Sequence, residues 1–336
     1  MKAAVFKALR QPLEVETLPD PTPGPLDVIV KVGRCGICGS DLHISEDPIF
    51  GVPPGVVLGH EYAGEVVEVG REVSRVKTGD RLAVFPLETC GECGPCKSGQ
   101  GAWCEKGMIV GGGGYGQFSQ VAEHQCVRMP SGVSLSDGAL VEPLAVGLHA
   151  VKVSGMFSGA RVLVIGAGPI GLAVVFWARR MGAGKIACTA SSTRRAELAM
   201  EMGASVFIEP SDTPVEDTTR ALGGAPEIVF ECVGMPGLIQ RCVDHVAPRG
   251  TVVIAGLCTT PDTISPFWVV NKEARLQPSA FYEVRDFETT LDVLDAGIIT
   301  PHAMITEEVS LAEMPGAFEA LKHRTHQCKV MVKSWD

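Results

Sequence analysis

Cys90, Cys93, Cys96 and Cys104 fall within fifteen residues as C-x2-C-x2-C-x7-C, in a segment rich in glycine. Four thiolates complete a tetrahedral zinc shell and leave no position open for a substrate, so a metal held there is structural. It would pin a loop that carries too few apolar residues to hold itself. Disulfides are the other use of clustered cysteines. In a reducing compartment four so closely spaced favour metal.

A second set of reactive side chains is more dispersed. Cys35, Cys38, Ser40, Asp41 and His43 place thiols, a hydroxyl, a carboxylate and an imidazole within nine residues. Gly59-His60-Glu61 and Glu142-Pro143 follow downstream. Taken alone, Cys35-x-x-Cys38 could be a redox pair, but no thioredoxin-like βαβ pattern surrounds it. An isolated His60 is more often structural than a ligand, and spacing alone does not group these residues; a catalytic zinc nevertheless takes such a mixture, three protein ligands of N, S or O type plus an open position.

The third constellation is Gly166-Ala-Gly168-Pro169-Ile170-Gly171. It follows the apolar run Val162–Ile165 and opens a helical stretch. In that context GxGxxG is a dinucleotide fingerprint: one glycine makes the turn, the next admits a pyrophosphate, and the third lets helix and strand pack. The diphosphate then meets free N–H groups at a helix N-terminus. Cys232-Val233-Gly234 and Ala255-Gly256-Leu257 end two later strands at the carboxyl edge, where such sheets bind ligands. NAD-specific sites of this kind carry an acid about 20 residues beyond the glycines. Here no carboxylate occurs between Arg161 and Glu197, while Ser191, Ser192, Arg194 and Arg195 follow Ala190.

The elements that must position these groups change rhythm near Val151. Before it, Val28–Val32, Glu65–Val69 and Arg81–Phe85 are β-rich runs bounded by turn residues such as Pro23-Gly24-Pro25 and Thr78-Gly79-Asp80. Beyond it, strands at 162–165, 185–189, 206–208, 228–230 and 251–254 alternate with helices at 169–181 and to about 202. That pattern implies a doubly wound parallel sheet. Lys329–Val332 reads as a strand returning to the first domain. The expected architecture is α/β. A β-rich catalytic domain spans residues 1–150 and 286–336, and a Rossmann dinucleotide-binding domain spans 151–285.

Composition excludes some partners. The chain has 336 residues, 46% hydrophobic and 20% charged, with 39 glycines, 12 cysteines and a formal net charge of -10. Such a surface does not neutralise nucleic-acid phosphates in bulk. No uninterrupted apolar run could span a bilayer, since the stretch 161–179 is broken by three glycines and a proline. The first residues lack the apolar core of a signal peptide, so a cytoplasmic protein is expected.

These motifs, in this order and over essentially the whole chain, resemble the zinc-containing medium-chain alcohol dehydrogenases. The polyol (sorbitol-type) and threonine-dehydrogenase-like branch is the nearest match, because Glu142-Pro143-Leu-Ala-Val-Gly-Leu-His149 stands where liver-type enzymes carry a cysteine ligand. The resemblance implies a GroES-like fold for the catalytic domain. It implies a catalytic zinc on Cys38 and His60 with Glu142 or Glu61 as exchangeable carboxylate, and a structural zinc on Cys90, Cys93, Cys96 and Cys104. Ser40 would take the alcohol proton, His43 would pass it to solvent, and Asp41 would orient His60. The cofactor would contact Gly166, Gly168, Pro169, Ile170, Gly171, Ala190, Ser191, Ser192, Arg195, Val233 and Gly256. Ala190 replaces the acid usual in relatives, so NADP(H) is expected over NAD(H).

The implied activity interconverts a secondary alcohol or polyol and its ketone, in a homodimer or homotetramer. A threonine-type amino-alcohol dehydrogenase is an alternative, as is a non-catalytic quinone-reductase- or crystallin-like relative. Candidate pocket walls Ile49, Phe50, Tyr115 and Phe281 are mostly apolar and favour a hydrophobic secondary alcohol.

Overall fold

A computed structural model describes residues 1–323 and 326–335; three positions inside the expected catalytic-domain span 286–336 (324, 325 and 336) lie outside the described residues. Two compact units are present, one of Met1–Glu142 with Glu283–Asp336 and one of Pro143–Tyr282. The first division falls inside the helix Val141–Val153, slightly before the change of rhythm in the sequence.

The first unit is built on a seven-stranded sheet. Its path runs Ile305–Ser310, Lys329–Lys333, Asp27–Gly36, Glu61–Val69, Arg81–Val84 and Cys126–Arg128, with Phe118–Ala122 also paired to Asp27–Gly36. Val28, Val30, Val32, Tyr62, Val66, Leu82, Val330 and Val332 join one apolar core. The register matters most for chemistry. Gly36 sits opposite Glu61 and Cys35 opposite Tyr62 on one side, while Met331 and Val332 face Gly36 and Cys35 on the other. A shift of one residue would turn every side chain of a strand to the opposite face. This pairing therefore fixes where Cys38, His60 and Lys329 can meet. An N-terminal hairpin, Lys2–Val5 with Glu14–Thr17, adds a two-stranded sheet.

The second unit holds a six-stranded, all-parallel sheet. The order is Val206–Ile208, Lys185–Thr189, Arg161–Ile165, Ile228–Glu231, Thr251–Ile254 and Arg275–Pro278. Strands covered by helices on both faces must be apolar throughout; Val162, Leu163, Val164, Val229, Phe230, Val252 and Val253 are accordingly fully buried. The strand order 3-2-1-4-5-6 is that of two mononucleotide-binding halves meeting at the first strand. The doubly wound sheet and the β-rich domain agree with the expected fold class. Among the described residues, no helix is long and apolar enough to cross a membrane.

Candidate active site

Cys38 is the residue before the helix Gly39–Glu46, so Ser40, Asp41 and His43 occupy that helix's first turns. Ser40 Oγ donates to Cys38 Sγ at 3.2 Å and lies 3.4 Å from Nε2 of His60. Behind the imidazole, His60 Nδ1 is 3.4 Å from Asp41 Oδ1. The hydroxyl of Tyr115 in turn donates to Asp41 Oδ2 at 2.5 Å. A carboxylate on Nδ1 fixes the ring orientation and leaves Nε2 free to bind a cation. His43 is exposed, three residues on from Ser40 and so on an adjoining part of the helix surface.

Charge in this pocket is set by burial and by near neighbours. Burial alone would raise Asp41, yet the His60 imidazole and the hydrogen bonds from His60 and Tyr115 hold it below the ordinary carboxylate range. Burial would lower His60, but Asp41 and Cys38 more than offset that and raise it well above its usual value. Burial pushes the Cys38 thiol up. Ligation by these groups requires a thiolate and a neutral imidazole, so metal binding here releases protons.

One ligand atom each from Cys38, His60 and Glu61 lie within 4.8 Å of one another. A thiol, an imidazole and a carboxylate are the donor set that a catalytic zinc takes, and the fit is good. Glu61 is fully buried and ion-paired with Lys329, whose Nζ lies 2.7 and 2.5 Å from its two oxygens and donates to the carbonyl of Ile37 at 3.1 Å. Glu142 is buried at the start of the helix Val141–Val153 and is not a member of this cluster. Its charge does reach Lys329.

The four sulfurs of the glycine-rich lobe form the other cluster. Cys90 and Cys96 Sγ are 3.9 Å apart, and the backbone N–H groups of Cys93 and Cys90 point at the sulfurs of Cys90 and Cys104. Backbone N–H groups of Glu92 and Cys93 bring the Cys90 thiol down to about 6, while burial takes Cys96 up to about 11. All 12 cysteines are free of disulfides. An all-sulfur, closed donor set fits a structural zinc.

In the second unit the glycine turn has the geometry a dinucleotide needs. Gly166 has φ +111°, and a Cβ on Gly171 would lie 1.8 Å from Gly166 O, so neither position admits a side chain. Gly168 caps the helix Pro169–Arg180, with Ile170 in its first turn, and faces open space. Arg195 Nη1 donates to Ala167 O at 3.2 Å, which ties the segment after Ala190 to the turn; Arg194 Nε donates to Ser192 Oγ at 3.1 Å. Ser191 is exposed. Val233 and Gly256 follow the strands Ile228–Glu231 and Thr251–Ile254 at the same carboxyl edge.

Residues 24–131 match the alcohol dehydrogenase GroES-like domain, and residues 169–296 the zinc-binding dehydrogenase domain. Sorbitol dehydrogenase of Bacillus subtilis (strain 168) is 32% identical over 343 residues, which cover 99% of this chain and 97% of that one. The chain belongs to the zinc-containing medium-chain alcohol dehydrogenases. It falls in their polyol-dehydrogenase branch. It is also similar to (R,R)-butanediol dehydrogenase of the same bacterium, 33% identical across 99% of both chains. Among solved structures, a zinc-binding dehydrogenase from Sinorhizobium meliloti 1021 bound to NADP superposes with a TM-score of 0.89 at 31% identity, over 99% of this chain and 98% of that one.

Two site residues stand differently from the sequence expectation. Tyr115, expected as a pocket wall, is fully buried and spends its hydroxyl on Asp41, so it supports the site and does not line it. Lys329 reads in the sequence only as part of a strand, whereas its side chain sits beside the candidate metal ligands. Its signal was a lone cation in Cys328-Lys329-Val330-Met331-Val332, a run otherwise buried and apolar. A lysine there must have an anionic partner.

Proposed function

We propose that this chain interconverts secondary alcohols or polyols and their ketones with a nicotinamide cofactor, NADP(H) in preference to NAD(H). In this reading the first unit carries the metal chemistry and the second binds the dinucleotide. The observation that carries it is the convergence of Cys38 Sγ and His60 Nε2 on the hydroxyl of Ser40, at 3.2 and 3.4 Å. Relatives named for sorbitol, butanediol and xylulose support hydroxyl-bearing substrates with a secondary carbon.

Cys38 and His60 would hold zinc, with Glu61 or Glu142 as the exchangeable carboxylate. When bound, zinc supplies a Lewis acid that lowers the pKa of the substrate hydroxyl, and the nicotinamide supplies a hydride acceptor. The protein's own part is proton handling. Ser40 Oγ receives the substrate hydroxyl proton, and the exposed His43 on the next turn delivers it to solvent. Asp41, itself fixed by Tyr115, keeps Nε2 of His60 aimed at the position the metal would take. One proton would thus leave through Ser40 and His43, while a bound nicotinamide would supply the acceptor for the hydride and its two electrons.

The test is a panel of secondary alcohols, polyols and ketones read at the nicotinamide absorbance band with both cofactors, alongside zinc analysis after gel filtration. Turnover with zinc on both clusters is expected. His60→Ala should abolish turnover and lose one metal while dinucleotide binding persists. A zinc-loaded chain inactive across the panel, or an active His60→Ala variant with full metal, would overturn the reading.

A further inference from the structure

Glu231 closes the strand Ile228–Glu231, is 2% exposed, and has no part in the chemistry described so far. Its side-chain Oε1 accepts from the backbone N–H groups of Val233 and Gly234 at 2.8 and 3.0 Å. Its own carbonyl accepts from the N–H groups of Ala255 and Gly256, both at 2.9 Å. Its other oxygen packs on Gly256, where a Cβ would approach to 2.3 Å. One residue therefore ties together the turns that end two neighbouring strands.

Those turns occupy a particular half of the sheet. Relative to the glycine-fingerprint strand Arg161–Ile165, Lys185–Thr189 lies on one side and Ile228–Glu231 with Thr251–Ile254 on the other. In a doubly wound sheet each half takes one mononucleotide. The half joined to Ala190 and Arg195 takes adenosine, so the half knotted by Glu231 takes the nicotinamide nucleotide.

We infer that Glu231 is a positioning residue for the nicotinamide half of the cofactor; the inference rests on the dinucleotide reading above. A carboxylate is an acceptor only, and N–H bonds to it are about twice as strong as neutral ones. By consuming the N–H donors of Val233 and Gly234 it leaves these two residues only their carbonyl oxygens to offer a ligand. Carbonyls suit ribose hydroxyls and the amide N–H of a carboxamide, and they repel phosphate. Gly234 is left-handed at φ +74°, and a Cβ there would lie 2.2 Å from Leu257 O, so the two turns hold one arrangement with no room to spare.

The experiment compares binding of NADP(H) and NAD(H) with binding of adenosine fragments, ADP and adenosine 2′,5′-bisphosphate, in the full-length chain, Glu231→Gln and Glu231→Ala. A local role predicts dinucleotide Kd raised about tenfold in Glu231→Ala, which corresponds to about 1.4 kcal/mol. Glu231→Gln keeps an acceptor oxygen and should recover most of that loss. Fragment Kd should stay within about twofold in both, as expected for a perturbation distant from the fragment's contacts. Dinucleotide binding unchanged in both variants, or fragment binding weakened in parallel, would overturn the inference. A parent chain that binds no dinucleotide would instead sink the functional reading itself. Should Glu231→Ala fail to fold, Glu231→Gln and the parent decide: amide exchange in the parent must find the Val233 and Gly234 protons protected, and fast exchange there would also overturn the role.

Discussion

Lys329 Nζ reaches both carboxylate oxygens of Glu61, at 2.7 and 2.5 Å, with the two side chains almost wholly buried. The pair links the C-terminal strand Lys329–Lys333 to the strand carrying Glu61, directly behind Cys38. Burial works against the Lys329 ammonium, but Glu61 overcomes it and holds the lysine above its ordinary value. Removing one partner leaves a buried, unpaired charge. Lys329→Met should therefore destabilise by about 3–5 kcal/mol, and Lys329→Met with Glu61→Gln should recover much of it. Urea unfolding of the single and double variants measures this. Equal stability of the parent and Lys329→Met would contradict the pairing.

Tyr115 and Asp41 form the support for His60. Tyr115→Phe removes one hydroxyl from a fully buried site and frees Asp41 to rotate. Loss of such a support typically weakens metal binding about 10–100-fold. Competition with a chelator should show weaker zinc retention at the Cys38 cluster and unchanged retention at the cysteine lobe. An unchanged release profile would mean that the tyrosine serves packing alone.

The cysteine lobe should behave oppositely. Metal bound by Cys90, Cys93, Cys96 and Cys104 would contribute folding energy, because the lobe leaves its large apolar side chains Trp103, Ile109 and Val110 exposed. Cys93→Ser is expected to lower the thermal midpoint and remove one of the two metals, while turnover per remaining loaded site stays near the parent's. Full stability with lost chemistry would reverse the assignment.

What was legible in the sequence follows from how local each signal is. Val162–Ile165 could be read because a strand buried on both faces leaves a continuous apolar run, and Gly166-x-Gly168 because backbone geometry demands those glycines. The cysteine lobe announces itself by spacing within one loop. The Lys329–Glu61 pair spans 268 residues and Tyr115–Asp41 spans 74, so no local pattern records either. Two strands also left little trace. Glu14–Thr17 is polar, and Arg275–Pro278 is a half-exposed edge beginning with a cation and ending with proline, so neither carries a clear alternation of polar and apolar residues.

His245 gives a pH dependence with a definite sign. It is 2% exposed, and neither ring nitrogen has a hydrogen-bond partner. Burial, then the nearby Arg241, bring it down to about 4, with Asp244 and Glu216 opposing and Lys272 reinforcing. The unfolded chain, with histidine near 6.5, takes up a proton that the folded chain refuses. Stability from this group is complete above about 6.5 and falls as pH drops toward about 4, by about 2 kcal/mol at pH 5. Urea unfolding at pH 7 and pH 5 should show that loss in the parent and a smaller one in His245→Leu. Parallel losses in both would exonerate the histidine.

Cofactor preference turns on the segment after Lys185–Thr189. An acid at Ala190 would repel a 2′-phosphate, whereas the sequence there supplies Ser191, Ser192, Arg194 and Arg195 and no carboxylate before Glu197. Arg195 is held against the glycine turn through Ala167 O, and Arg194 leans on Ser192, so both guanidinium groups are anchored close to the chain end of the strand. Guanidinium groups bind phosphate in two-pronged fashion, and their bonds to it are charge-assisted. We expect kcat/KM to favour NADP(H) in the parent. Ala190→Asp restores the repulsion and offers an acceptor to the ribose hydroxyls, so it should erase the preference chiefly through a raised KM for NADP(H), leaving kcat at saturation nearly unchanged. The repulsion and lost ion pairing together are worth a few kcal/mol, ample for a shift of about tenfold or more. A parent that turns over faster with NAD(H) at low cofactor would refute this account of the loop and leave the metal chemistry untouched.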